Sequence, residues 1–212
     1  MALVLTEADV KALVTMDDLI ETMGLALTDF SARAVTQPVR TVLSVGEHGS
    51  FYGVMPAWMP NRRALGTKLV TVFETNADRG LPTHLATIVL LDPETGALLA
   101  LVDGRYITES RTAAVSALSV RHLAREDATV LAIIGSGVQA RSHLDAISRV
   151  RDISDVRVWS PNRARMELFV KEMRPHSRAT ISAAPSAQAA VQDAAIVVLV
   201  TSAKEPVVKD EW

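Results

Sequence analysis

The chain has 212 residues, of which 49% are hydrophobic, and it carries a formal net charge of −2 at pH 7. This length allows two modest domains, and the small net charge gives no electrostatic reason to expect nucleic acid or an anionic membrane as a partner. No cysteine is present, which excludes disulfides, thiolate catalysis and cysteine-based metal sites. Because no apolar run approaches the roughly 20 residues of a membrane span, and residues 1–7 do not resemble a signal peptide, we expect a soluble, cytoplasmic protein.

The first predicted elements are a helix and five strands. Thr15 has the features of a helix N-cap, acidic residues follow it, and apolar residues continue at helical spacing to about Arg33. From Val39 onward, β-branched and apolar runs separated by turn-forming residues predict strands at 41–45, 51–55, 65–73, 85–91 and 98–102. The turn at 92–96 joins the last two strands as a hairpin. We therefore predict an α+β domain with a largely antiparallel or mixed sheet.

Helices and strands alternate over the rest of the chain. The predicted order is helix 108–124, strand 129–134, helix 138–150, strand 156–159, helix 161–173, a weak strand near Thr180, helix 186–192 and strand 195–200. This alternation is typical of an α/β fold with a doubly wound parallel sheet. We predict a first domain at residues 1–126 and a Rossmann-type domain at residues 127–212. Such a sheet commonly has six strands, and because the chain stops at Trp212, soon after the fourth, its second half would be incomplete.

The turn that precedes helix 138–150 has the composition of a dinucleotide-binding turn. Its sequence, Gly135-Ser136-Gly137-Val138-Gln139-Ala140, directly follows an apolar strand and opens a helix. Gly135 allows the tight turn, Gly137 lets the backbone approach a pyrophosphate, and Ala140 is small where the helix packs on the strand. Backbone N–H groups at the helix start would bind the phosphates. The alternative is an ordinary strand–turn–helix connection that contains two glycines.

The end of the second parallel strand bears on which dinucleotide is bound. Sites that prefer NAD place Asp or Glu there to hold the ribose 2′-hydroxyl, but this chain has Ser160, followed by Asn162, Arg163 and Arg165. At this position the chain has no carboxylate that would repel a 2′-phosphate, and a guanidinium could pair with the phosphate. These residues therefore favour NADP(H), with NAD(H) also possible. In the alternative, both arginines are solvated side chains on the first turn of a helix.

Two cations occupy unusual positions. Arg111 lies near the N-terminal end of its predicted helix, where a cation is unfavourable unless an anion lies nearby. Strand alternation puts Lys68 on a small, apolar face, where it either reaches solvent or binds a carboxylate. Taken alone, each could be structural. Arg40, at a strand start, is uninformative by itself, and His84 fits a hydrogen-bonded loop residue as well as a ligand contact.

Other catalytic patterns are absent from the sequence. No histidine or carboxylate pair has convincing metal-ligand spacing. The segment 135–137 is not a nucleophile elbow, and there is no Gly-Lys-Ser/Thr P-loop. These exclusions favour redox or hydride chemistry over hydrolysis and phosphoryl transfer.

Six segments of the sequence occur in a recognisable order. They are QPVRT (37–41), GVMPA (53–57), TKLV (67–70), LPTHLAT (81–87), ESRTAA (109–114) and GSGVQA (135–140). Together they resemble the ornithine cyclodeaminase/mu-crystallin family over nearly the whole chain, and they look closer to its mu-crystallin (ketimine reductase) branch. The resemblance implies a substrate-binding and dimerisation domain joined to a Rossmann domain, with the active site between them, and a homodimer.

The resemblance also implies roles for particular residues. Arg40 and Lys68 would hold the substrate carboxylate and its carbon–nitrogen centre. The residues that would reach the cofactor are Thr83, His84, Arg111, Thr112, Val138, Gln139 and Thr201. On this analogy both unusual cations are functional, with Arg111 near phosphate and Lys68 near substrate.

The activity that the resemblance implies is NAD(P)H-dependent oxidoreduction at the carbon–nitrogen bond of a small amino acid or cyclic imino acid. The nicotinamide would exchange hydride with the α-carbon, and Lys68 could move a proton. One alternative is the cyclodeamination of ornithine to proline and ammonia; another is a non-catalytic, NADPH-dependent protein that binds a small carboxylate. Family members continue well past Trp212, so a fragment or an inactive truncated homologue is a further alternative. Ser160 stands where the cyclodeaminase branch has an acidic residue, which favours the NADP-using branch.

Overall fold

The computed structural model describes residues 1–47 and 49–212, which form two compact units, Met1–Thr108 and Glu109–Trp212. His48, in the turn that the sequence indicates at 46–49, lies outside the described residues. The sequence analysis places the boundary at residue 126, where the hydrophobic periodicity changes. The two compact units instead divide after Thr108, so residues 109–126 are assigned differently.

A six-stranded mixed sheet organises the first unit. Its helices are α1 (Glu7–Leu13) and α2 (Met16–Ser31), and its strands are β1 (Leu3–Leu5), β2 (Thr41–Val45), β3 (Ser50–Met59), β4 (Ala64–Val72), β5 (His84–Leu91) and β6 (Leu98–Asp103). The strand order is β1-β6-β5-β4-β3-β2, and every neighbouring pair is antiparallel except β1 with β6. The predicted α+β architecture, its mixed sheet and the β5–β6 hairpin are confirmed.

The sequence analysis does not predict strand β1 or helix α1 of the first unit. Helix α1 begins with a capping box, in which the Thr6 hydroxyl accepts a hydrogen bond from the Asp9 N–H at 3.3 Å and the Asp9 carboxylate accepts one from the Thr6 N–H at 2.9 Å. The Thr-x-x-Asp pattern is therefore a usable signal for α1. Strand β1 has no comparable local signal, because its partner β6 lies far along the chain.

A buried carboxylate joins α2 to the 3-10 helix Pro60–Arg62. Asp29 is 8% exposed and accepts hydrogen bonds from Asn61 Nδ2 at 3.0 Å and Arg62 Nε at 2.9 Å. These donors, Asn61 first, hold the pKa of Asp29 below its usual value. Because its charge is both paired and hydrogen-bonded, Asp29 can be buried without leaving an unsatisfied ion.

A four-stranded parallel sheet organises the second unit. Its strands are β7 (Val130–Ile134), β8 (Asp155–Trp159), β9 (Thr180–Ala183) and β10 (Ile196–Leu199), and its helices are α3 (Arg105–Leu123, which begins in the first unit), α4 (Val138–Ser148), α5 (Arg163–Met173) and α6 (Ala187–Val191). The strand order is β10-β7-β8-β9, with every neighbouring pair parallel. This order is that of a doubly wound sheet, which confirms the predicted Rossmann-type fold class.

Strand β7 is buried on both faces. Leu131 and Ile133 pack in a cluster that contains Phe169 of α5, whereas Ala132 and Ile134 pack in a second cluster with residues of α6. The continuous apolar run in the sequence follows from this double burial, since neither face of the strand meets solvent.

One arginine secures the C-terminal end of α3. The Arg151 guanidinium donates hydrogen bonds to the carbonyl oxygens of Arg121 and Ala124, each at 2.9 Å, and of Arg125 at 3.1 Å. The last carbonyls of a helix have no partner within the helix. Arg151 therefore supplies the donors that this helix end requires.

Two observations bear on the kinds of site that the fold can carry. In residues 1–47 and 49–212, no three His, Asp or Glu side chains are grouped so that they could hold a metal ion. Over the same residues, no helix combines the length and the apolarity needed to cross a membrane.

Candidate functional site

The turn between β7 and α4 begins at a glycine that the protein itself requires. Gly135 has φ of 127°, a conformation that residues with a side chain rarely adopt. A Cβ at this position would collide with the backbone carbonyl of Val200, which follows β10. The Gly135 N–H donates to the carbonyl of Trp159 at 2.8 Å. Gly135 thus lets the ends of β7, β8 and β10 come together.

The second glycine of the turn has a different environment. Gly137 is the N-cap of α4, has extended backbone geometry, and has no side-chain cap among the described residues. A Cβ built on Gly137 would have no heavy atom within 4 Å. Nothing in the described protein therefore requires a glycine here, and open space lies beside the first N–H groups of a helix. That combination fits an anionic ligand that approaches the backbone closely.

Two residues of the first turn of α4 complete its description. Gln139 has a buried Oε1 that accepts no hydrogen bond within the described residues. A buried acceptor without a donor is costly and calls for an explanation such as a bound water or a ligand hydroxyl or N–H group, since a phosphate oxygen cannot donate. Ala140 is fully buried, so the helix lies close to the sheet.

The segment after β10 borders the same turn. The Val200 N–H donates to the Ile134 carbonyl at 2.9 Å, so β10 runs beside β7 up to the start of the turn. Thr201, the next residue, is exposed, and its hydroxyl accepts a hydrogen bond from the Ala203 N–H at 3.2 Å. The carboxyl ends of β7 and β10 lie where ligands bind in doubly wound sheets, at the switch in strand order.

Residues at the end of β8 form the opposite border. Ser160 is half-buried, and the Asn162 side chain caps α5 by accepting a hydrogen bond from the Arg165 N–H at 3.0 Å. Arg163, the first residue of α5, is exposed, and its Nε donates to Glu167 at 2.7 Å, which raises the pKa of Arg163. Because this ion pair is exposed, it is weak enough to be exchanged for another anion.

Helix α3 carries the next two candidates, Arg111 and Thr112. The helix begins at Arg105, whose N–H donates to Asp103 at 2.9 Å, and not at residue 108 as the sequence suggests. Arg111 therefore lies in the second turn, where the helix dipole has little effect. Burial provides a stronger argument. Arg111 is half-buried, burial lowers its pKa, and no described residue supplies it with a carboxylate.

Sequence reasoning missed a buried histidine that ties α3 to α4. His143 Nδ1 lies 2.7 Å from the Gln139 carbonyl oxygen, and Nε2 lies 3.0 Å from the Ser116 hydroxyl. A carbonyl can only accept, so Nδ1 carries the proton and Nε2 accepts from Ser116. Burial lowers the pKa of His143. A single histidine within a helical pattern gives no sequence signal for such a role.

The four candidates in the first unit lie on or beside its sheet. Lys68 is half-buried in the middle of β4, paired with Met55 on one side and Ile88 on the other. Arg40 is exposed and directly precedes β2, in which Thr41 pairs with Val54. Arg40 lies outside β2, and the Thr36–Trp58 bridge before the strand is shifted by one residue from the β2–β3 register.

The other two candidates lie farther along the strands. His84 pairs with Val72 of β4. Val72 lies four residues from Lys68 on the same face of that strand, a distance of about 13 Å along the strand. Thr83 is exposed, and its carbonyl accepts a hydrogen bond from the Phe73 N–H at 2.8 Å. The sheet therefore holds Thr83 and His84 apart from Lys68.

Comparison with known proteins identifies relatives over the whole chain. A model of the ornithine cyclodeaminase/mu-crystallin family matches residues 1–212. The chain is 41% identical to the ketimine reductase mu-crystallin of Rattus norvegicus, over 92% of this chain and 62% of the rat protein. The chain therefore spans about three-fifths of the length of this relative.

Two solved structures are also similar. The Δ1-pyrroline-2-carboxylate reductase of Thermococcus litoralis, in complex with NADH and L-proline, has a TM-score of 0.94 and 37% identity, over 97% of this chain and 64% of that one. An archaeal alanine dehydrogenase dimer with bound NAD has a TM-score of 0.92 and 31% identity, over 100% and 64%. These matches extend through both units, and the chain belongs to the ornithine cyclodeaminase/mu-crystallin family.

Proposed function

We propose that this chain binds a nicotinamide dinucleotide and takes part in NAD(P)H-dependent oxidoreduction at the carbon–nitrogen bond of a small amino acid or cyclic imino acid. The observation that carries the proposal is Gly137, whose glycine identity no described protein atom requires, at the uncapped start of α4. Support comes from relatives whose names and complexes include ketimine reductase, pyrroline-2-carboxylate reductase, NADH and NAD.

The phosphates are bound by the second unit in this proposal. The N–H groups at the start of α4 hold the pyrophosphate, and the half-buried guanidinium of Arg111 gains the anionic partner that the described residues do not provide. Gly135 shapes the turn, and the remaining contacts come from Thr83, His84, Thr112, Val138, Gln139 and Thr201. When bound, the nicotinamide supplies the hydride chemistry.

NADP(H) is the preferred dinucleotide in the proposal. Because Ser160 follows β8, no carboxylate stands at this position to repel a ribose 2′-phosphate. Asn162 caps α5, and Arg163 is the first residue of that helix. The Arg163 guanidinium can leave its exposed pair with Glu167 and bind the 2′-phosphate in a bidentate manner.

The substrate carboxylate is held by Lys68 and Arg40. Both residues are long cations of the first unit, Lys68 within β4 and Arg40 directly before β2, and in the proposal both side chains reach one small carboxylate. Two donors on the carboxylate fix the orientation of the adjacent α-carbon, which is what hydride transfer to that carbon requires. Lys68 can also donate a proton to the reacting nitrogen.

The active form is proposed to be a homodimer built on the first unit. Strand β2, at one edge of the six-stranded sheet, exposes the apolar side chains of Val42, Leu43 and Val45. An exposed edge strand with apolar side chains is a site for pairing with another chain. One of the similar structures is a dimer.

The test is a titration of the purified chain with NADPH and NADH, followed by energy transfer from tryptophan, since Trp159 ends β8 beside the proposed site. Saturable binding is expected, and Lys68→Met should bind NADPH unchanged while any imine reduction is lost. Ammonia release without net NADPH consumption would instead indicate cyclodeamination. A folded chain that ignores both dinucleotides would disprove the proposal.

A further inference from the structure

Arg141 contacts the backbone of the turn between β7 and α4, residues 135–140, which is called the phosphate turn below because the proposed function places the pyrophosphate there. It lies on α4, one helical turn after Gly137, and its Nη1 donates hydrogen bonds to the carbonyl oxygens of Ser136 at 2.9 Å and Gly137 at 3.0 Å. These two carbonyls belong to the peptide groups that connect Ser136 to Gly137 and Gly137 to Val138. One guanidinium nitrogen therefore holds two successive peptide groups of the turn.

The guanidinium is itself held by α5. Its Nε donates to Glu172 Oε2 at 3.0 Å, and Nη2 contacts the same carboxylate oxygen. It also lies over the ring of Phe169, 5.3 Å from the centroid, and Phe169 is fully buried. With Nη1 on the carbonyls and the other two nitrogens on Glu172, four of its five N–H donors are committed to the protein. Arg141 is thus an anchored part of the scaffold.

The contacts are consistent with one direction of the turn's N–H groups. In a trans peptide group the N–H and the C=O lie in one plane and point in opposite directions, and no cis bond occurs among the described residues. With the carbonyls of Ser136 and Gly137 drawn towards Arg141, the N–H groups of Gly137 and Val138 point away from it. Hydrogen bonding of a peptide carbonyl also polarises the N–H of the same peptide group.

We propose that Arg141 is a positioning residue for the anion site: held by Glu172 and Phe169, it orients the peptide groups of 136–138 so that their N–H groups converge on a phosphate. The inference rests on the proposed function for the identity of the anion. Because Glu172 offsets its charge, Arg141 acts through orientation, and its own guanidinium makes no contact with the phosphate.

The experiment compares Arg141→Gln, Arg141→Lys and Glu172→Gln with a matched control, Arg149→Gln, which removes an arginine that pairs with Asp145 on the same helix. The first measurement is the ¹H–¹⁵N amide shifts of Gly137 and Val138 in the 212-residue chain without nucleotide. The second is the Kd of ADP, of adenosine and of NADPH. Adenosine lacks the pyrophosphate and reports on the rest of the site.

Arg141→Gln is expected to move both amide shifts and to weaken ADP and NADPH about tenfold, the effect of losing about one well-placed hydrogen bond, with adenosine unchanged. Arg141→Lys should recover only part of the affinity, because an ammonium cannot reproduce the planar fork. Glu172→Gln, which loosens the guanidinium but leaves Arg141 in place, should change the same quantities less. Arg149→Gln should change none.

Unchanged amide shifts, together with an unchanged ratio of ADP to adenosine affinity in Arg141→Gln, would overturn the inference. If that variant does not fold, Glu172→Gln decides by the same two measurements. A wild-type chain that binds no dinucleotide would defeat the proposed function instead, and the amide shifts would then decide the role of Arg141 by themselves.

Discussion

At the scale of single residues, the two glycines of the turn at 135–140 differ in their surroundings. Gly135 is required by the protein, because its positive φ and the nearby carbonyl of Val200 leave no room for a side chain. Gly137 has open space where a Cβ would stand. If a ligand fills that space, a side chain at position 135 should destabilise the fold. A side chain at position 137 should weaken ligand binding and leave the fold intact.

The paired prediction is therefore as follows. Gly135→Ala should lower the free energy of unfolding by about 2 kcal/mol or more, through strain at positive φ and overpacking. Gly137→Ala should leave thermal unfolding nearly unchanged and weaken NADPH at least about tenfold, because the methyl group would occupy the space of the pyrophosphate. Thermal melts and NADPH titrations of both variants are the measurements. Wild-type affinity in Gly137→Ala would argue against a ligand at this turn.

A second residue-scale prediction concerns the choice of dinucleotide. Arg163→Ala should weaken NADPH about tenfold and leave NADH unchanged, since only NADPH carries the 2′-phosphate. Ser160→Asp should reverse the preference, because a carboxylate binds the 2′-hydroxyl and repels the phosphate. Lys171→Ala, which removes one positive charge at the other end of α5, is the control. Equal losses for both dinucleotides in Arg163→Ala would contradict the assignment.

At the scale of elements, two arginines of the second unit join a helix to its surroundings. Arg141 connects α4 to α5 through Glu172 and Phe169, and Arg151 closes the C-terminal end of α3. Both arginines also donate to backbone carbonyls, a contact that the amino-acid type at the accepting position does not reveal. The planar guanidinium suits this role because its donors point in fixed directions.

The prediction for α3 tests this role directly. Arg151→Lys keeps the charge but loses the fork that reaches three carbonyls, and should lower the free energy of unfolding by about 2 kcal/mol. Arg149→Ala removes a pair with Asp145 that is largely exposed, and should cost less than about 1 kcal/mol. Urea unfolding followed by circular dichroism compares the two variants. Equal stabilities would show that the α3 end does not depend on Arg151.

At the scale of the whole molecule, stability should depend on pH through the buried histidine. The folded-state pKa of His143 is lowered, chiefly by burial, so below about pH 6.5 the unfolded chain binds a proton that the folded chain does not. Stability is then complete above pH 6.5 and falls as the pH is lowered towards the folded-state pKa, by up to about 1.4 kcal/mol per pH unit.

His143→Asn should flatten this pH dependence, at some cost in stability at neutral pH, because the new side chain does not titrate. His122→Asn, which replaces an exposed histidine of α3, is the control and should leave the slope unchanged. Urea unfolding between pH 5 and pH 8 provides the measurement. A wild-type slope in His143→Asn would assign the dependence to other groups.

Much of the fold was predictable because its signals are local. Each predicted strand from 41–45 to 195–200 has its counterpart, since side-chain alternation and turn-forming residues act over a few positions. The strand–turn–helix connection at 130–148 was predictable for the same reason, as a strand, two glycines and a helix are contiguous. Strand β1 was not, because its pairing with β6 depends on residues at the other end of the first unit.

The sequence by itself determined the order and type of the strands and α-helices from α2 onward, the mixed and parallel character of the two sheets, the place of the glycine-containing turn at 135–140 and the family. Only the tertiary structure decided which side chains act on that turn. The hydrogen bonds of Arg141 to the turn, its anchoring by Glu172 and the Ser116–His143 link all join segments that are distant in the chain or accept through the backbone. Such contacts depend on packing and on satisfying buried polar groups, which no local pattern of residues encodes.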